Sequence, residues 1–166
     1  MNAKKVRSIT TELTHKHVLA NGIRLHVVES GNPDGQPVIF LHGFPEFWYS
    51  WRYQFDAFAD AGYHVIAPDQ RGYNLSDKPK QIKAYNLDEL AQDIAGLIDV
   101  YKHEKAFVVA HDWGGMAAWW MAMACPERIQ KLVVMNVPHP RVMLRHLKTN
   151  PAQRRRSRYV FLFQFP

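Results

Sequence analysis

A chain of 166 residues fits a single domain, and 47% apolar against 22% charged residues supports a packed core and excludes a disordered chain. The net charge of +6 gathers in Lys4-Lys5-Val6-Arg7 and Arg154-Arg155-Arg156-Ser157-Arg158, which read as solvated basic faces rather than as nucleic-acid or lipid sites. One cysteine, Cys125, excludes an internal disulfide and fits a reducing compartment; a small buried helix residue is its expected role.

The first fourteen residues are polar and are expected to be loosely ordered. They hold no apolar run of the kind a secretory signal needs, and the longest apolar helical stretch, 116–125, is too short to span a bilayer. A cytoplasmic location with no membrane contact is therefore expected. His17-Val18-Leu19 and Ile23-Arg24-Leu25-His26-Val27-Val28 predict two strands joined near Asn21-Gly22, a pair that tolerates the positive φ of a tight hairpin. After the turn cluster Gly31-Asn32-Pro33-Asp34-Gly35, the continuous run Pro37-Val38-Ile39-Phe40-Leu41 reads as a strand covered on both faces. A sharp break follows at His42-Gly43-Phe44-Pro45-Glu46, then an aromatic-rich helical segment over 48–58. His64-Val65-Ile66-Ala67-Pro68 is the next buried strand, and 69–79 is a long polar loop.

Asn86 with Glu89 three residues on has the capping-box pattern. Leu87, Leu90, Ala91, Ile94, Leu97, Ile98 and Tyr101 then form one apolar helical stripe. Residues 106–110 predict a strand, 113–124 a helix and 131–135 a further strand. Strands alternating with helices through short connections give right-handed crossovers and a parallel sheet, with the leading hairpin antiparallel at one edge. Ligands in such sheets sit beyond the carboxyl ends of the strands. Three polar or aromatic loops leave those ends, at His42, Asp69 and Asp112.

The stretch Val108-Val109-Ala110-His111-Asp112-Trp113-Gly114-Gly115 is the most informative. A nucleophile elbow needs small residues two before and two after the nucleophile, because strand and helix approach closely; Ala110 and Gly114 meet that rule. Asp112 at its centre would attack carbon as a carboxylate and form an ester, helped by the positive end of the following helix. Asp112 could equally be only the N-cap of that helix. The backbone N–H near Phe44 could pair with that of Trp113 as an oxyanion hole. His42 is expected to stabilise its loop rather than act as a base. Trp113 is open between packing and directing its ring N–H at a leaving group.

These blocks resemble the N-terminal half of an α/β-hydrolase of the epoxide hydrolase family, close to the soluble epoxide hydrolases. The resemblance rests on His42-Gly43-Phe44-Pro45-Glu46 with Trp48-Tyr49-Ser50-Trp51-Arg52, on Asp69-Gln70-Arg71-Gly72-Tyr73 with Ser76-Asp77-Lys78-Pro79, and on His111-Asp112-Trp113-Gly114-Gly115 with Pro126-Glu127-Arg128-Ile129. It implies an α/β-hydrolase fold: a mostly parallel sheet, an N-terminal antiparallel hairpin, and helices on both faces. Residues 1–138 would be the N-terminal part of the core and 139–166 the start of a lid. It also implies that Asp112 opens an epoxide through an alkyl ester while the N–H groups of Phe44 and Trp113 hold the oxyanion. His42, Gly43, Pro45, His111, Gly114 and Gly115 support the motif, and a vicinal diol is the product. No metal or other cofactor is implied, and the partner is a small-molecule epoxide, not nucleic acid.

The resemblance also implies a base histidine and an acid placed later in the chain than Asp112. His111, His139 and His146 do not occupy the base position, and Asn136 stands where some relatives place the acid. With the apolar close at Tyr159-Val160-Phe161-Leu162-Phe163-Gln164-Phe165-Pro166, this sets the expectation of a half-fold that does not turn over epoxides by itself. Haloalkane and haloacetate dehalogenases share the Asp nucleophile and would take halogenated substrates, but Phe44 and Trp113 together favour the epoxide. A non-enzymatic protein using the basic stretch 141–158 is the reading from a different class.

Overall fold

The structure is a computed structural model that describes residues 9–162. The basic cluster at 4–7 and residues 163–166 of the closing aromatic run lie outside the described residues. Six strands form one sheet in the order β1-β2-β4-β3-β5-β6. They are β1 (Thr14–Ala20), β2 (Ile23–Gly31), β3 (Pro37–Leu41), β4 (His64–Pro68), β5 (Ala106–His111) and β6 (Ile129–Met135). β1 and β2 form the predicted hairpin, with Asn21 at φ 47° and Gly22 at φ 73°. β2 is also antiparallel to β4, and from β4 through β3 and β5 to β6 all pairs are parallel. This is the α/β-hydrolase arrangement expected.

Helices cover both faces, as the apolar runs of β3 and β4 require. The side chains of β3 alternate. Val38 and Phe40 pack with Val65, Ala67, Trp48, Trp51 and Phe55 on the side of α1 (Arg52–Asp60). Ile39 and Leu41 pack with Ile66, Val108 and Ala110 against α2 (Leu87–Val100) and α3 (Asp112–Ala124). All five side chains of β3 and all five of β4 are buried. The predicted stripe on α2 is the buried one: Leu90, Ala91, Ile94, Leu97 and Ile98 face the core, with Leu87 and Tyr101 partly buried beside them. Asn86 caps that helix by accepting from the Glu89 N–H at 2.9 Å. The Glu89 side chain turns to Asn21 and Arg71 instead of closing the reciprocal half of the box.

Several boundaries differ from the reading of the sequence: β1 begins three residues early and β2 ends three residues late. The aromatic segment begins as a 3-10 turn, Trp48–Trp51, before α1. β6 begins two residues early, because the 3-10 turn Pro126–Arg128 delivers the chain straight into Ile129. Of the stretch expected to be loose, residues 10 and 11 are tied down: the N–H groups of Thr10 and Thr11 donate to the Asp56 carboxylate at 2.9–3.2 Å. Beyond β6, three short helices follow: α4 (Pro140–Thr149), α5 (Pro151–Arg156) and α6 (Arg158–Leu162). Arg154, Arg155, Arg156 and Arg158 are all exposed. Among the described residues, no helix is long and apolar enough to cross a membrane.

Candidate active site

The strand order reverses at β3, whose chain successor β4 lies on one side and β5 on the other. The loops leaving β3 and β5 therefore diverge from adjacent strand ends, Leu41 pairing with Ala110. This is the switch point at which parallel sheets open a crevice. Asp112 sits at its mouth with φ 49°, a left-handed conformation that few residues other than Gly, Asn and Asp adopt readily.

The strain is held by close packing on both sides of the turn. A Cβ added to Gly114 would lie 2.5 Å from the His42 carbonyl oxygen and 2.7 Å from that of Leu41. Its N–H donates to the same His42 oxygen at 3.1 Å. A Cβ on Gly43 would come 2.6 Å from the Asp112 Cβ, and one on Gly115 would come 2.9 Å from Val134. The neighbours of Gly114 are main-chain atoms of β3 and its loop, which cannot swing aside. Gly114→Ala is therefore expected to cost about 1–3 kcal/mol or more, read as a lower urea midpoint. An unchanged midpoint would show that α3 is free to move outward.

Across this junction the Phe44 N–H donates to Asp112 Oδ1 at 3.0 Å, spanning 68 residues of sequence. Oδ1 is thus committed to a main-chain donor. Pro45, on the other side of Phe44, follows a cis peptide bond. The side chains of Phe44 and Trp113 are exposed at 55% and 41%, so apolar surface flanks the carboxylate on the solvent side.

His42 lies beneath, fully buried. The Gln70 backbone N–H donates to its Nε2 at 3.0 Å, so Nδ1 carries the proton and donates to the Gly43 carbonyl at 2.9 Å. Both ring nitrogens are used, and burial pushes the pKa of the ring below the ordinary histidine value. His42 is a neutral tie between the loops after β3 and β4. Tyr73 from the second loop packs edge-on against it, with ring centroids 4.8 Å apart. Burial raises the Tyr73 phenol pKa, and the charge of Asp112 raises it further, so Tyr73 stays protonated beside the carboxylate.

His111 is held from two sides. The Asn136 amide donates to Nε2 at 2.9 Å, which leaves the Nδ1 proton toward Glu46 Oε2 at 3.5 Å. Asn136 itself has φ 64°. A cavity of about 140 Å³ lies beside this pair, lined by Glu46, Ser50, Trp51, Gln54, His111 and Met135. A second cleft, of about 410 Å³ between α3 and α4, is lined by Trp120, Met123, Pro140 and Leu144 among others and does not include Asp112. His139 packs on Trp119 with centroids 5.1 Å apart and caps α4 by accepting from the Arg141 N–H.

The structure thus brings Asp112, Phe44, Trp113, His42, Gly43, His111, Gly114 and Gly115 into one junction. Gln70, Tyr73 and Glu46 join them, though the sequence marked these three only as parts of longer motifs. Their one sequence signal is position: each lies in a loop that leaves the carboxyl end of β3 or β4. Among the described residues, no group of three or more His, Cys, Asp or Glu side chains is arranged to hold a metal.

Asp112 thus stands at positive φ on a strand-to-helix turn, with a main-chain donor on one carboxylate oxygen. Residues 36–164 match the family described as the alpha/beta hydrolase fold, and the chain belongs to that family. It is 52% identical over 149 residues to the AB hydrolase superfamily protein YfhM of Bacillus subtilis, covering 90% of this chain and 52% of that protein. It is 46% identical to Epoxide hydrolase 1 of Caenorhabditis elegans, covering 90% of this chain and 37% of that protein. Among solved structures, it superposes on an epoxide hydrolase from Bacillus megaterium, crystallised as a variant with its diol product. The TM-score is 0.86 at 40% identity, covering 90% of this chain and 52% of that one. The chain spans about half the length, or less, of the curated relatives it matches.

Proposed function

We propose that this chain carries the nucleophilic half of an epoxide-opening site. The Asp112 Oδ2 attacks a ring carbon, the ring C–O bond breaks, and its electron pair leaves on the oxygen as an alkoxide that takes a proton. The product of this step is an alkyl ester of Asp112. Hydrolysis would then add water to the ester carbonyl carbon. The resulting charge falls on Oδ1, and the carbonyl collapses to expel the diol and restore the acid. The observation that carries this reading is the Phe44 N–H on Asp112 Oδ1 at 3.0 Å. A donor already aimed at the oxygen that becomes the oxyanion lowers the barrier without reorganisation, and the Trp113 N–H is the second donor. A plain N-cap role for Asp112 gives no reason for a donor from a loop 68 residues away.

Water activation needs a base with an available nitrogen. His42 uses both of its nitrogens, and His111 is held between Asn136 and Glu46. In this reading the chain reaches the ester and does not complete the cycle with these two residues. Helices α4 to α6, from residue 139 on, are the beginning of a lid over the crevice. The single unpaired Cys125 is in keeping with a cytoplasmic location.

The test is covalent capture. Styrene oxide is activated at its benzylic carbon and opens with little acid assistance. Incubated with it, the chain is expected to gain the mass of one epoxide on the peptide that holds Asp112, without sustained release of diol. Alkylation confined to Cys125 or to histidines would overturn the assignment of the nucleophile. Steady diol release with no adduct would overturn the view that reaction stops at the ester. Halide release from a 1-chloroalkane, without epoxide capture, would favour a dehalogenase instead.

A further inference from the structure

The positive charge of this chain is concentrated in one segment. Between residues 139 and 162 lie seven of its 21 Lys and Arg residues and none of its 15 Asp and Glu residues, so the rest of the chain is close to neutral. Arg141, Arg145 and Lys148 stand on α4, Arg154, Arg155 and Arg156 on α5, and Arg158 opens α6. All seven are exposed, and none enters an ion pair among the described residues. They are carried on built helices. The Asn150 side chain caps α5 by accepting from the Ala152 and Gln153 N–H groups at 3.0 and 3.2 Å. The Gln153 amide donates to the Oγ of the buried Ser157 at 2.9 Å, at the corner between α5 and α6.

In sequence these cations read as a solvated face, but the fold sets apolar side chains beside them. On α4, Arg141, Arg145 and Lys148 are spaced i, i+4 and i+7 and share one side of the helix, while Met143, Leu144 and Leu147 share the adjoining side. α4 packs chiefly on α5, which leaves Leu144 55% exposed and Met143 and Leu147 half-buried. Val142 on α4 and Tyr159 and Val160 on α6 are exposed as well. A nucleic-acid backbone would engage the cations and leave these apolar side chains in water. A bilayer surface engages both. Apolar side chains enter the boundary between headgroups and acyl chains, cations meet the anionic headgroups, and the long arginine stems cover apolar surface in between.

We propose that α4 to α6 form a docking surface for an anionic lipid bilayer. A cluster of about four to eight Lys and Arg residues on or beside an amphipathic helix is the pattern that anionic headgroups attract. The attachment is peripheral, since no helix among the described residues is long and apolar enough to cross a membrane. It uses neither Asp112 nor the residues around it, so it stands or falls apart from the reading of the chemistry there.

The test sediments the chain with vesicles of phosphatidylcholine alone and with vesicles of equal parts phosphatidylcholine and phosphatidylserine. Binding to the anionic vesicles is expected to be stronger by about tenfold or more and to fall as salt is raised. Arg154→Ala/Arg155→Ala/Arg156→Ala is expected to weaken it on the order of 100-fold. Leu144→Ser keeps every charge and is expected to weaken it about tenfold. Lys80→Ala/Lys83→Ala/Lys105→Ala removes three exposed cations elsewhere and is expected to stay within about twofold of the parent, because distant surface charges are screened. All these side chains are exposed, so each variant is expected to keep the parent's thermal midpoint. No binding to either vesicle, equal binding to both, an unaffected Leu144→Ser, or an equal loss in the two triple variants would each overturn the surface. So would salt-sensitive binding to a DNA duplex with the anionic vesicles left unbound, which would assign the cations to nucleic acid.

Discussion

Asp112→Asn is expected to give a folded chain that captures no epoxide. The substitution is chosen because it changes one property. Asn tolerates a positive φ nearly as well as Asp, so the 49° at this position remains available. The amide oxygen can still accept from the Phe44 N–H that now reaches Oδ1. Stability is expected to stay within about 0.5 kcal/mol of the parent. What is lost is the second carboxylate oxygen and its charge, and an amide is a far weaker nucleophile toward carbon. The adduct on the Asp112 peptide should disappear completely in the intact-mass spectrum. Cys125 serves as the internal control. Burial, followed by the nearby Glu127, raises its thiol pKa, with Arg128 opposing, so any slow alkylation there should be the same in both proteins. An adduct that persists at full yield in Asp112→Asn would place the nucleophile elsewhere.

Much of the fold was legible because it is written in local pattern. The five-residue apolar runs of β3 and β4 state that both faces are covered, and the helices found on both faces agree. Asn21-Gly22 names a turn that only residues tolerant of positive φ can make, and Asn86 caps α2 where it was expected. The strand-to-helix turn at Asp112 was legible for a similar reason. Gly114 lacks a side chain because β3 and its loop press on the turn, and that pressure is a local demand on residue size.

The rest was written in long-range pairings. Gln70 fixes the tautomer of His42 from 28 residues away, and Asp69 orients His26 from 43 residues away. No periodicity records either pairing. The anchoring of residues 10 and 11 on Asp56 has the same character, since a polar strand of chain looks loose until the acid that holds it is located. Helices α4 and α5 carried a signal that went unread among their basic residues. Each begins with Pro at its first turn, after a residue whose side chain accepts from the helix backbone, His139 in one and Asn150 in the other.

Arg71→Met is expected to be the most destabilising change outside the elbow. Arg71 is buried, and its guanidinium meets Asp93 through two bonds, Nε to Oδ2 at 2.8 Å and Nη2 to Oδ1 at 2.6 Å. It also donates to the Ala84 carbonyl at 3.0 Å. Methionine fills similar space and leaves the Asp93 carboxylate buried without its cation, a loss of about 3–5 kcal/mol. The pH dependence follows from Asp93. Burial holds its pKa above the ordinary value even against the hydrogen bonds from Arg71 and Asn21. A carboxyl group raised in the folded state contributes its stability below its unfolded pKa and loses it as the pH rises through the folded one. Without Arg71 the folded value climbs further, so the deficit should be largest near neutrality and shrink on acidification toward about pH 4. Removing the charge as well, in Arg71→Met/Asp93→Leu, should recover most of the lost stability, because a buried pair replaced by apolar groups is often near neutral. Denaturant unfolding of the parent, the single variant and the double variant at two pH values checks each step. A deficit in Arg71→Met that is independent of pH and untouched by the second substitution would mean that Arg71 acts through packing alone. If the pair behaves as expected, it is what holds the 69–79 loop in place, and with it the Gln70 tie on His42 and the Tyr73 ring near Asp112.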